Sequence, residues 1–233
     1  MSVISVLFIM SVYVLPASAI SSSVQPKTVI ISNEGKVCLG TPTPNSDWSN
    51  CDMRYTYLVN ANIQGINLSG ANLQGMNLYG ANLAGANLAG ANLQGANLNF
   101  VDLSGANLRG SNLQEIDFSY ANLSNADLRN VNVDGSTFLN VNFQGANMLM
   151  INFSSGNIQQ SNFENANLRY ANLSQAVLYG DDLSLTDLTN ANLHNADMVA
   201  GNLQSSLLYG ANVRGLDTSG VNLGCVGNPI CHS

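Results

Sequence analysis

Few side chains in the sequence could take part in catalysis or hold a metal ion. The chain has two histidines, His194 and His232, and it shows no serine–histidine–aspartate set, phosphate-binding loop or metal-ligand motif. An enzyme needs several reactive groups that converge in a concave site. The sequence therefore predicts a protein that is not an enzyme, with no catalytic residues, no cofactor and no metal.

The composition also argues against binding to nucleic acid. The 233-residue chain has a formal net charge of −7, and only 9% of its residues are charged, against about 25% in a typical soluble domain. Proteins that bind nucleic acid directly present a basic surface to the phosphates. The acidic balance predicts no direct nucleic-acid binding, although it would permit mimicry of nucleic acid.

A five-residue repeat dominates the sequence. Residues 80–98 read GANLAGANLAGANLQGANL, and a period of five is neither helical nor that of a strand. We number the central apolar residue of each unit i; it recurs at every fifth position from Trp48 to Leu223 without insertion, and Thr218 is its one polar occupant. Position i−2 is usually Ala, position i−1 is Asn or Asp with few exceptions, and position i+2 is often Gly. A fixed short period predicts a solenoid.

This A(N/D)LXX pattern resembles the pentapeptide-repeat family over residues 46–223. The resemblance implies an all-β solenoid, a right-handed quadrilateral β-helix of about nine four-sided coils with four pentapeptides in each. The i and i−2 side chains would fill a core too narrow for two large residues. Gly at i+2 would suit type II turns. At about 4.8 Å per coil, the rod would be roughly 40 Å long.

The residues outside the repeat suggest a leader and two end segments. The first segment, MSVISVLFIMSVYVLPASA, has no charged side chain, an apolar run too short to span a membrane, and an Ala-Ser-Ala ending typical of a signal-peptidase site. We expect cleavage after Ala19; the alternatives are an uncleaved anchor and a buried strand. The predicted boundaries are 1–19 for the signal peptide, 20–45 for an N-terminal tail and cap, 46–223 for the repeat, and 224–233 for a C-terminal cap loop.

Four cysteines lie at the two ends of the repeat: Cys38, Cys51, Cys225 and Cys231. An even number of cysteines in an exported protein suggests disulfides. The two ends of the rod would be roughly 40 Å apart, whereas bonded cysteines need Cα atoms within about 7 Å. We therefore expect one disulfide at each end, Cys38–Cys51 and Cys225–Cys231. The alternative is reduced thiols, with Cys51 filling an inward position.

Stacking the chain in coils of twenty residues groups the outward side chains into columns. Arg109 and Arg129 would then be stacked like charges, which structure alone would avoid, and Arg, Tyr and Met are enriched in interfaces. Phe100 and Tyr120 would form a second exposed pair. The alternative is a set of scattered surface residues. The candidate partner face comprises Arg109, Arg129, Leu149, Met150, Arg169, Tyr170 and Tyr209.

Three aspartates stand out in this arrangement. Asp197 and Asp217 would stack one coil apart, but a calcium site needs more converging oxygen ligands. Asp181 occupies an i−2 position, where a buried carboxylate is costly unless it is paired. We expect a local distortion of the coil at Asp181, with Gly180 and Gly201 giving room.

Two hypotheses about function follow. The first is an exported, non-catalytic structural or protein-interaction scaffold in the periplasm, thylakoid lumen or extracellular space, similar to the lumenal and periplasmic members of the family and not attached to a membrane after cleavage. The alternative is a DNA-mimicking inhibitor or protector of DNA gyrase or topoisomerase. The chain departs from that group by its leader, its unbroken repeat and the lack of an apolar helical tail. The sequence identifies neither the protein partner nor the oligomeric state.

Overall fold

Regular strands and helices make up little of the part of the chain that the structure describes. The computed structural model describes residues 29–31 and 37–232, so the expected signal peptide and part of the N-terminal segment lie outside the described residues. Among the residues described, no helix is long and apolar enough to cross a membrane. Strands β1 (Val29–Ile31) and β2 (Val37–Leu39) pair antiparallel, strands β3 (Thr137–Leu139) and β4 (Asn157–Gln159) pair parallel, and a short 3₁₀ helix spans Pro229–His232.

Single parallel β-bridges hold most of the chain together. From Asp47 with Asn67 onwards, an i−1 residue is usually paired with the residue twenty positions later; Asn132 has no such bridge, and Leu207 is paired with Val226, nineteen positions later. Backbone hydrogen bonds run in both directions between neighbouring coils: Leu73 N–H donates to Asn92 O at 2.7 Å, and Asn92 N–H donates to Ala71 O at 2.9 Å. These repeated pairings confirm the predicted all-β solenoid.

A tight turn ends each five-residue unit. The N–H of an i−2 residue donates to the carbonyl of the preceding i residue, as Ala71 does to Leu68 at 3.0 Å. Every fifth residue from Asn45 to Gly220 has a positive φ. Glycine and asparagine fill most of these corners because they adopt this conformation at little cost. Larger side chains are held in the same conformation at Phe100, Tyr120, Met150, Tyr170 and Leu185.

The i and i−2 side chains fill the inside of the rod. Leu73 and Ala71 are typical of these positions, and both are fully buried. Each buried Leu or Phe contributes about 1.5–3 kcal/mol relative to exposure, so this continuous core is the main source of stability. In the middle coils the core includes stacked phenylalanine rings, with centroids 5.2 Å apart for Phe118–Phe138 and 4.8 Å apart for Phe143–Phe163.

The i−1 side chains form hydrogen-bonded ladders along the rod. Asn92 Oδ1 accepts from the backbone N–H of Gln94 at 3.2 Å, which steadies its own turn. Asn112 Nδ2 donates to Asn92 Oδ1 at 3.1 Å, which links neighbouring coils. Local and interlayer hydrogen bonds of this kind explain why an amide or a carboxylate occupies almost every i−1 position.

A disulfide lies at each end of the repeat. Cys38 on β2 is bonded to Cys51 in the first coil, with Cα atoms 6.2 Å apart. Cys225 is bonded to Cys231 across the terminal loop, with Cα atoms 4.9 Å apart. This terminal loop is tied back to the solenoid by a hydrogen bond from Asn228 Nδ2 to Ala211 O at 3.2 Å.

One backbone β-bridge between coils is missing within the repeat, and we call this gap the missing rung. Asn132 and Asn152 form no bridge, although the other i−1 pairs between Asp47 and Asn222 all do. No backbone hydrogen bond joins Val133 to Asn152, whereas the equivalent bond in the next coil, from Phe153 N–H, is 2.8 Å long. The two coils therefore separate along one side, while the sides before and after it stay paired.

Core packing accounts for the missing rung. Val131 and Ile151 are both i−2 residues and lie twenty positions apart, so they stack in one column. Elsewhere a branched aliphatic i−2 residue stacks on Ala, Ser or Gly, as Ile66 does on Ser46 and Ala86. Two β-branched side chains exceed the space of one column and hold the coils apart.

The Ile151→Ala variant should close this rung. Replacing a buried Ile by Ala normally lowers the free energy of unfolding by about 2–5 kcal/mol. We expect a loss in this range for Ile66→Ala, which serves as the control. Ile151→Ala should cost less because it relieves overpacking, and the Val133 amide should become more protected. Urea unfolding and amide hydrogen exchange measure both effects. Equal costs for the two variants, with an unprotected Val133 amide, would rule out overpacking as the cause.

Candidate functional site

The residues of the candidate partner face come together along one edge of the rod. They occupy turn positions in four successive coils and, for Tyr209, two coils further on. The bridged residues Asn107, Asp127, Asn147, Asn167, Asp187 and Leu207 bring these coils into register. Tyr170 and Tyr209 are about half exposed and Met150 more so, while Leu149 is half-buried. The edge thus presents apolar and aromatic groups beside the three arginines.

Acidic residues within the chain compensate part of the positive charge on this edge. Arg129 binds Asp127 through two hydrogen bonds, from Nε at 2.8 Å and from Nη2 at 2.5 Å. These hydrogen bonds from Arg129 lower the pKa of Asp127, and the charge of Arg109 lowers it further. Arg169 lies 3.8 Å from Asp187. The like-charge repulsion expected between Arg109 and Arg129 is therefore reduced, which weakens repulsion as an argument for a partner.

The Asp127–Arg129 pair is also a recurring local motif. Near the start of the rod Arg54 binds Asp52 in the same way, with Nη2 and Oδ2 2.6 Å apart. In both cases the aspartate is at i−1 and the arginine at i+1, so the turn itself brings them together. Such exposed pairs add little stability, about 0–1 kcal/mol. Their presence on the candidate partner face does not by itself indicate binding.

A second edge carries a run of exposed aromatic rings. Phe100 and Tyr120 are stacked with centroids 4.8 Å apart, as expected from their spacing. Tyr79 extends the run, since its ring centroid is 5.3 Å from that of Phe100. Sequence reasoning missed Tyr79 because it occupies i+1 rather than the i+2 position of the other two.

Asp181 is buried without the distortion expected there. Its residue is 1% exposed, the bridge between Asp182 and Asn202 is formed, and the turn bond from Asp181 N–H to Leu178 O is kept, although it is long at 3.4 Å. The carboxylate points into the core and its Oδ1 accepts a 2.7 Å hydrogen bond from Ser161 N–H, while Oδ2 has no hydrogen-bond partner. The expected distortion was wrong because the small residues Ser161 and Gly201 on either side leave the column enough room.

Two serines show how a polar i−2 side chain enters this core. Ser136 Oγ accepts from Ile116 N–H at 3.0 Å and donates to Leu113 O at 2.6 Å, so it inserts into a turn hydrogen bond of the preceding coil. Ser161 Oγ likewise accepts from Val141 N–H at 3.1 Å. Asp181 likewise accepts a hydrogen bond from a backbone N–H of the preceding coil, that of Ser161. If its carboxyl is protonated, it can also donate a hydrogen bond, as Ser136 Oγ does.

Burial raises the pKa of Asp181 to about 8, and the hydrogen bond from Ser161 offsets only part of this effect. The carboxyl is therefore mainly protonated at neutral pH. No cluster of three or more His, Cys, Asp or Glu residues that could hold a metal ion occurs among the residues described. His194 serves a structural contact, with Nδ1 2.9 Å from Arg214 O.

A cleft of about 280 Å³ opens where the rung is missing. Its lining includes the buried residues Phe138 and Phe153 and the exposed polar residues Asp134, Ser154 and Asn157. Sequence reasoning did not find this cleft. The available signal was the stacking of Val131 on Ile151, which becomes visible once the chain is divided into coils of twenty residues.

A family model described as pentapeptide repeats matches the chain in 8 copies over more than half of its length. The matched residues are 44–75, 77–114, 116–148, 151–184 and 186–224. No curated protein sequence matches the chain significantly.

Several solved structures are similar to the chain. HetL, a pentapeptide repeat protein involved in heterocyst differentiation regulation in the cyanobacterium Nostoc, is 22% identical with a TM-score of 0.37, over 79% of this chain and 90% of HetL. A pentapeptide repeat protein from the Arabidopsis thaliana thylakoid lumen is 30% identical with a TM-score of 0.29, over 52% of this chain and 68% of that one. QnrB1, a plasmid-mediated fluoroquinolone resistance protein, is 19% identical with a TM-score of 0.42, over 78% of this chain and 88% of QnrB1.

The buried carboxyl predicts a pH dependence of stability. The folded-state pKa of Asp181 is raised from 3.8 to about 8. The stability that the protonated carboxyl contributes is therefore fully present below pH 3.8 and is lost as the pH rises through about 8. The Asp181→Asn variant should not show this loss, since the amide keeps an acceptor and supplies a donor at every pH.

Urea unfolding at a series of pH values tests this prediction. Between the two pKa values, the wild type should lose up to about 1.4 kcal/mol per pH unit relative to Asp181→Asn. Taking the difference between the proteins removes the opposite effect of carboxylates with lowered pKa, such as Asp127. Parallel stability curves for the two proteins would show that the Asp181 carboxyl is ionised in the fold.

Proposed function

The chain belongs to the pentapeptide-repeat family, and from this we propose that it is an exported, non-catalytic scaffold whose rod presents one edge to a protein partner. Bridges that join residues twenty positions apart, with a turn at every fifth residue, support a four-sided coil. The proposed rod is right-handed and consists of about nine such coils over residues 46–223. The segments 20–45 and 224–233 would cap its two ends.

One observation carries the proposal of a partner edge. Met150 and Tyr170 lie in successive coils at corners with φ of 62° and 57°, where a bulky residue costs about 1–2 kcal/mol. Met150 is 62% exposed and Tyr170 about half exposed, so burial within the chain offsets only part of this strain. Strained, exposed and adjacent apolar residues are typical of functional surfaces. Arg169, with its guanidinium 6.0 Å from the Tyr170 ring centroid, belongs to the same surface.

The disulfides support export. Disulfides persist in oxidising compartments and are rare in the cytosol, and the described cysteines are all paired. A signal peptide at residues 1–19 would deliver the chain to the periplasm, the thylakoid lumen or the extracellular space. After cleavage the rod would have no membrane anchor, and its partner would be a protein of that compartment.

The net charge of −7 supports one alternative, a DNA-mimicking inhibitor or protector of DNA gyrase or topoisomerase. That role requires access to the cytoplasm and a regular row of carboxylates. Most i−1 positions carry neutral Asn instead, and Arg129 and Arg169 neutralise two of the aspartates. The scaffold is therefore the preferred function.

Intact mass of the natively expressed protein tests export. We expect the mass of a chain without residues 1–19, and no alkylation of its thiols unless the protein is first reduced. A full-length chain with four free thiols would contradict both the export and the terminal disulfides. It would make the gyrase alternative the one to examine next, by a supercoiling assay.

Site-specific photo-crosslinking tests the partner edge. Benzoylphenylalanine at Tyr170 should give a crosslinked species in the native compartment, and at Tyr179 it should not. Tyr179 is a matched control, since it is also a turn residue of similar exposure but lies about half a coil away. The Arg169→Glu substitution should remove the Tyr170 crosslink. A crosslink at Tyr179 alone would place the partner on a different edge.

A further inference from the structure

The missing rung leaves complementary backbone groups on the two sides of the cleft. On one coil the N–H groups of Val133 and Gly135 have no partner across the gap, and on the next coil the carbonyls of Asn152 and Ser154 have none. In the neighbouring coils the equivalent groups bond directly to each other, as Phe153 N–H does with a 2.8 Å hydrogen bond. The cleft thus offers donors on one side and acceptors on the other.

The rest of the lining is divided into an apolar part and a polar part. The apolar residues Phe138 and Phe153 line the cleft, and each is only 3% exposed, so they form its buried part. The exposed residues Asp134, Ser154 and Asn157 supply a carboxylate, a hydroxyl and an amide towards solvent. A ligand that fills the cleft therefore needs a small apolar group inside and several hydroxyl groups outside.

We propose that the cleft between the coils at Val133 and Asn152 binds an N-acetylated hexosamine unit. A secondary amide has one N–H and one C=O, so it can stand in for the missing rung by accepting from Val133 and donating to Asn152. The acetyl methyl group then contacts the phenylalanine rings. The sugar hydroxyls reach Asp134 and the neighbouring polar side chains.

Other ligand classes fit the lining less well. No Lys or Arg lines the cleft, and Asp134 repels anions, so a phosphate or a carboxylate is disfavoured. A wholly apolar ligand would leave the backbone donors and acceptors unpaired. A sugar without an amide would engage the polar residues but would not replace the rung. This proposal does not depend on the scaffold function, since the cleft would bind sugar whether or not the partner edge is used.

NMR titration of the full mature chain with N-acetylglucosamine tests the proposal. We expect saturable shifts at the Val133 and Gly135 amides, with a dissociation constant on the order of 1 mM for so small a ligand. Glucose should bind at least about tenfold more weakly, because it lacks both amide hydrogen bonds. The absence of saturable shifts, or equal binding of the two sugars, would overturn the proposal.

Three variants locate the binding. Ser154→Tyr should block the cleft, and Ser174→Tyr is the matched control because Ser174 occupies the same position one coil further on, where the rung is intact. Tyrosine is already tolerated at this kind of position at Tyr79 and Tyr209. Ile151→Ala, which should close the rung, should also abolish binding. Equal affinity of wild type and Ser154→Tyr would place any sugar site elsewhere.

Discussion

Residues twenty positions apart must share one column of a narrow core, and the rest of the structure depends on that constraint. Where a branched side chain stacks on Ala, Ser or Gly, the coils approach closely enough for a β-bridge to form between them. At Val131 and Ile151 two branched side chains fall in one column, and the single missing rung lies there. The hydrogen-bond ladder is therefore a consequence of core volume as well as of backbone geometry.

The same constraint determines how polar groups enter the interior. Ser136 and Ser161 are small enough to fit the column, and each replaces part of a turn hydrogen bond in the coil before it. Asp181 follows this pattern with a larger side chain, and burial keeps its carboxyl mainly neutral. A buried polar side chain in this rod is thus tolerated when it can pair with the backbone of the neighbouring coil.

Because the interior is used for stability, the proposed recognition uses the outward side chains and the cleft where the coils separate beside Val133. On the outside, aspartates at i−1 already neutralise some arginines at i+1, so charge alone does not mark a binding surface. Bulky residues held at positive φ are more informative, since Gly or Asn would occupy those corners with less strain. The cleft differs from both edges because its donors and acceptors belong to the backbone.

The sequence by itself determined the solenoid and the inward residues, because an unbroken period of five places an apolar i residue at the same point of every unit. The register of twenty residues per coil came from the resemblance to the pentapeptide-repeat family. With that register, the sequence also indicated the exposed Phe100–Tyr120 pair. Only the tertiary structure decided whether Asp181 would distort its coil, since the answer depends on the room left by Ser161 and Gly201. The ion pair of Arg129 with Asp127 and the opening beside Val133 were also decided there, because turn geometry and the summed volume of stacked side chains exist only once the coils are assembled.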